Sequence, residues 1–100
     1  MLESLLGNKS AEKVMLAIYS NGEMHASAIA KEYSTALDPI KKQLERFCEA
    51  GFLTCKIVGR SKVYKFNEAH PFIEPLKELI QIASLKSKTL KKEQYEYRNH

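Results

Sequence analysis

One hundred residues, 44% of them hydrophobic and 28% charged, describe one ordinary globular domain with room for a modest core. No apolar run approaches the ~18 residues of a membrane-crossing helix. The opening Met1 to Gly7 lacks a basic start and a long apolar stretch, and two cysteines are too few for a secreted disulfide scaffold, so a reduced, cytoplasmic setting is expected.

Taken in chain order, Leu2, Leu5 and Leu6 suggest a short helical turn. The first full helix is expected from Ser10 to about Asn21, where Ala11, Val14, Met15 and Ile18 make one apolar stripe. Ser10 is its expected N-cap and Asn21-Gly22 its stop. Glu23 to His25 fits a very short strand. Ala26 to Tyr33 fits a brief second helix with Ala26, Ile29, Ala30 and Tyr33 on one face, and Ser34-Thr35-Ala36 forms the turn that follows.

The third helix, Asp38 to Ala50, is the sharpest signal. Ile40, Leu44 and Phe47 face inward, Asp38 serves as N-cap with Pro39 at the first helical position, and Gly51 ends it in a left-handed conformation. A start at Thr35 or Ala36 is also open. Two short strands follow, Phe52 to Val58 and Lys62 to Phe66, joined by the basic tip Gly59-Arg60-Ser61. After a loop at Asn67 to His70, a last helix is expected from near Pro71 to about Leu85. Beyond Lys86 the apolar pattern gives way to a basic tail, a frayed helix or a disordered end. The expected division is therefore a folded domain over residues 1–85 and a tail over residues 86–100.

Charge concentrates in two places. Residues 34–66 carry seven basic and three acidic side chains, and residues 86–100 carry five and two, within a net charge of +4. On the third helix, about 100° of rotation per residue centres the outward face on Lys42. The chemistry of duplex recognition suits this arrangement. Lysine reaches guanine acceptors and glutamine pairs with adenine, so Lys41, Lys42 and Gln43 are candidate base or phosphate contacts, with Arg46 on the rim. Ser34 and Thr35 are placed for phosphates. On the hairpin, Arg60, Ser61 and Lys62, with Lys56 beside them, suit a backbone phosphate or a narrow minor groove. This requires Lys42 and Arg60 to point the same way. The competing explanation is a solvated helix face and charged strands that discourage strand pairing; Glu45 and Glu49 limit how deeply the helix can enter a groove.

The runs Ser27 to Tyr33, Ile40 to Leu53 and Gly59 to Tyr64, with Leu5 to Ser10 before and His70 to Leu76 after, resemble ArsR-like winged-helix transcriptional regulators over residues 2 to about 85. The resemblance implies a mainly α fold with a small β-hairpin wing, a winged helix-turn-helix of order (α)-α-β-α-α-β-β-α. It implies a regulator that binds double-stranded DNA as a homodimer through its first and last helices, with Leu2, Leu5, Phe72, Leu76, Leu79 and Ile80 as interface candidates. Their competing role is intramolecular core packing.

Metal sensing is not carried over. Cys48 and Cys55 are separated by six residues rather than one, the last helix offers only Glu74 and Glu78 after His70, and a set of three or four matched ligands is missing. No cofactor is expected. The two thiols are expected reduced and largely buried, and His25, His70 and His100 at the surface or capping. No P-loop, dinucleotide fingerprint or nucleophile elbow is present, so no enzyme is expected. The second functional class is a winged-helix protein-interaction module that does not read DNA.

Overall fold

The computed structural model describes the backbone of residues 2–98 and the side chains of residues 2–85. The element order is α1 (Leu2–Leu6), α2 (Lys9–Asn21), β1 (Glu23–His25), α3 (Ala26–Glu32), α4 (Leu37–Glu49), β2 (Leu53–Val58), β3 (Ser61–Phe66) and α5 (Ile73–Arg98). The three strands form one antiparallel sheet in the order β1-β3-β2. This is the mainly helical fold with a small wing that the apolar periodicities predict. The α5 helix spans the position near Leu85 where the apolar pattern ends; the side chains of the basic tail lie outside the described residues.

The core gathers one stripe from each helix. Val14, Met15 and Ile18 of α2, Ile29 of α3, Ile40 and Leu44 of α4, and Ile73 and Ile80 of α5 are fully buried, and Leu53, Tyr64 and Phe66 close it from the sheet. At roughly 2 kcal/mol for each large aliphatic side chain taken out of water, this cluster dominates the fold's stability.

One helix start differs from expectation, and another falls on the alternative that the sequence left open. Asn8, not Ser10, caps α2: its side-chain oxygen accepts from the Ala11 N–H at 2.8 Å, which moves the helix start back to Lys9. Asparagine and serine are equally good caps, so residue type alone does not choose between the two positions. In α4 the cap position is Ala36, with no side-chain hydrogen bond, so Asp38 lies inside the first turn. There its carboxylate still favours the positive helix end, and Pro39 takes one of the first four positions, which need no intrahelical donor.

Helix ends follow one rule twice. After α4, Gly51 at φ 85° lets its own N–H reach the Cys48 carbonyl and the Phe52 N–H reach the Phe47 carbonyl. After α3, the Ser34 N–H reaches the Lys31 carbonyl and the Thr35 N–H the Ala30 carbonyl, with Ser34 at φ 51°. Both are Schellman caps. Ser34 is the single non-glycine residue with positive φ among the described residues.

Both ends of the five-residue α1 are held by distant side chains. The Glu12 carboxylate accepts from the Glu3 N–H at 3.0 Å, and Arg46 donates to the Leu6 carbonyl at 3.0 Å.

Candidate nucleic-acid interface

Val58 pairs with Ser61, leaving Gly59-Arg60 as a two-residue hairpin loop. Gly59 at φ 64° supplies the positive angle that such a loop demands at its first position. Arg60 therefore sits at the tip of a rigid turn. Past Leu53, β2 is exposed throughout, including Ile57 and Val58.

Between this wing and α4 lies an open groove of about 370 Å³. Leu37, Lys41 and Glu45, one face of α4 at successive turns, form one wall; Arg60, Ser61, Lys62 and Tyr64 form another; His25, Ala26 and Ser27 close the end where β1 passes into α3. The groove brings Lys41, rather than Lys42, together with Arg60 and Lys62. Lys42 remains exposed on the adjoining surface of α4. Three cations against one carboxylate, Glu45, make the groove electropositive.

Other expected site residues have different surroundings. Arg46 is occupied at the far end of α4, where its guanidinium also lies 4.8 Å from the Phe47 ring centroid. Gln43 is half-buried, and its side-chain oxygen has no hydrogen-bond partner. Lys56 faces Glu23 across the central strand at 3.7 Å, an exposed pair. Ser34 is exposed and Thr35 half-buried; their backbone N–H groups are spent on the α3 cap, which leaves the hydroxyls.

His25 and Ser27 carry no local signal in the sequence. His25 reaches the groove because β1 pairs with β3, and its Nδ1 lies 3.1 Å from the Lys62 carbonyl. His70 takes a capping role: its Nδ1 accepts from the Phe72 N–H at 3.0 Å, and its ring stacks on Phe52 with centroids 4.4 Å apart.

The cysteines meet the expectation in part. Both are free, but Cys55 is exposed, since β2 is buried only at Leu53, while Cys48 is half-buried. Burial, reinforced by Cys55 alongside, pushes the Cys48 thiol above its ordinary value. Among the described residues no group of three or more histidine, cysteine or acidic side chains is placed to hold a metal ion, and no helix is long and apolar enough to cross a membrane.

A second exposed region lies along α5. Of the six interface candidates, Leu2 and Ile80 are buried in the core and Leu76 packs against it, because the inward stripe of α5 is needed to close the single chain. Leu5, Phe72 and Leu79 remain exposed, joined by Ile82 and Leu85.

No family model and no curated protein matches the chain. Solved structures do. The AntR antimony-specific transcriptional repressor shares 17% identity at a TM-score of 0.66, over 88% of this chain and 78% of that one. The adhesin competence repressor AdcR from Streptococcus pyogenes superposes at 0.74 with 9% identity, over 96% and 72% of the respective chains. A MarR family transcriptional regulator from Silicibacter pomeroyi gives 0.65 at 16% identity, over 87% of this chain and 62% of that one. At such identities the likeness concerns the fold: the chain is a winged helix-turn-helix of the architecture seen in these regulators.

Proposed function

We propose that this protein is a transcriptional regulator that binds duplex DNA with α4 and its wing. The observation that carries the reading is the shared groove. Lys41 on the helix and Arg60 and Lys62 on the hairpin, separate in sequence, line one concave electropositive surface, and cations so arranged attract backbone phosphates at any sequence. Lys41 and Lys42 are the candidate contacts from α4, Ser34 and Thr35 offer hydroxyls at its entrance, and Arg60, Ser61 and Lys62 hold the backbone on the wing side. Arg46, Gln43 and Lys56 are assigned lesser roles, since the first two are turned toward the protein and the third is paired. The narrower ArsR-like reading rests on the sequence runs around Glu49-Ala50-Gly51 and Gly59-Arg60.

The same reading makes the protein a homodimer. Phe72, Leu79, Ile82 and Leu85 leave apolar surface in water beside the face that α5 already commits to the core, and Leu5 of α1 is exposed as well; a second copy covering this surface would remove that cost. Two reading heads then meet half-sites about one helical turn apart. Residues 1–85 form the DNA-binding domain in this account, and the basic residues 86–100 add phosphate attraction.

The test is enrichment of bound duplexes from a random pool, followed by sedimentation of the protein with the recovered sequence. An inverted repeat bound by two copies is expected. Failure to retard any duplex at low salt, together with a stable complex with another protein, would replace this reading with the interaction module.

A further inference from the structure

Besides its three cations, the groove contains the His25 imidazole. A backbone carbonyl can only accept, so the 3.1 Å contact with the Lys62 carbonyl places a proton on Nδ1. The neutral ring then has only an acceptor lone pair left, on Nε2. A phosphate oxygen is also an acceptor. The two repel unless the ring takes a second proton, and then Nε2–H donates with a charge behind it.

We infer that the end of the groove formed by His25, Ser27 and Lys62 is a seat for one phosphodiester of the DNA backbone, occupied with uptake of a proton by His25. The inference rests on the DNA-binding reading and deepens it. The charged groups that share the groove with the ring are Lys41 and Glu45 on α4, Arg60 at the tip and Lys62 on β3. The Tyr64 phenol, pushed up by burial, stays neutral where imidazoles titrate. A seated phosphodiester adds one negative charge at Nε2, so the ring holds a second proton more tightly in the complex than without the phosphate, although three cations still face two anions there. Ser27, exposed at the start of α3, supplies a neutral hydroxyl donor that serves at any pH.

The sign follows from linkage. A ring that binds its proton more tightly in the complex than in the free protein strengthens binding at low pH, and the gain is lost as pH rises through the imidazole range. The distinguishing variant is His25→Asn, whose amide nitrogen stands where Nδ1 stands and keeps a donor for the Lys62 carbonyl but takes up no proton.

The experiment measures fluorescence anisotropy of a random-sequence duplex at fixed ionic strength, near about pH 6 and about pH 8. Wild type is expected to bind about five-fold tighter at the lower pH, and His25→Asn to lose that dependence whatever its affinity at the higher pH. Calorimetry of wild type and His25→Asn in two buffers of different protonation enthalpy provides the second measurement, with greater net proton uptake expected in wild type. The other histidines and the terminal amine remain in both proteins and cancel. Equal pH dependence in the two proteins, or equal proton uptake, overturns the seat and leaves DNA binding standing. No binding at either pH in low salt overturns the reading beneath it.

Discussion

The two halves of α4 are built to opposite ends. The C-terminal half is fastened on every side: Phe47 is buried, Arg46 reaches across to α1, and Asn67 donates from its side chain to the Gly51 carbonyl at 2.9 Å, just past the Schellman cap. The N-terminal half, from Leu37 to Gln43, has no side-chain cap, buries fully only Ile40, and turns Lys41 and Lys42 outward. One half positions the helix, and the other presents it. Substitutions should therefore separate into those that change stability and those that change DNA affinity.

The largest expected break is at the fastened end. Phe47→Ala should cost about 3–5 kcal/mol by the usual cost of emptying an aromatic core site, read by denaturant unfolding, and should lower DNA affinity only through the unfolded fraction. Gly51→Ala comes next. It forces a side chain to adopt φ 85° and sets a Cβ 3.3 Å from His70 Cδ2, for a cost of about 1–2 kcal/mol. Ser34→Gly inverts the sign at the matching cap of α3: relieving φ 51° should stabilise the protein by about 0.5–1 kcal/mol. An unchanged melting temperature in both variants would contradict the pairing of these two caps.

Legibility in the sequence follows the same division. The apolar stripes of α2 and α4, the glycine stop at Gly51 and the hairpin around Gly59 are local patterns, and each appears where periodicity and backbone freedom put it. What such patterns miss is non-local. Arg46 sits on the flank of the outward face by helical rotation alone. Its use by the Leu6 carbonyl, 40 residues away, arises because the five-residue α1 leaves carbonyls without partners. Leu2 and Ile80 read equally well as core or as interface, and only the packed chain decides for core. His25 is invisible as a groove residue in the sequence because its neighbour Lys62 comes to it through the sheet. For α4 the sequence leaves the start open between Asp38-Pro39 and Thr35 or Ala36, because Asp38 and Pro39 both suit the first turn of a helix whose cap, Ala36, offers no side-chain acceptor.

The central claim is that one helix and one hairpin act on the same nucleic acid. Its most direct test is the salt dependence of duplex binding by a Lys41→Gln/Arg60→Gln/Lys62→Gln variant, alongside its denaturant unfolding. All three side chains are exposed, so unfolding should match wild type within about 0.5 kcal/mol. The slope of log affinity against log salt should flatten by about 0.9 for each phosphate that is no longer neutralised, roughly two to three in total. An unchanged slope in a fully folded variant would contradict the account.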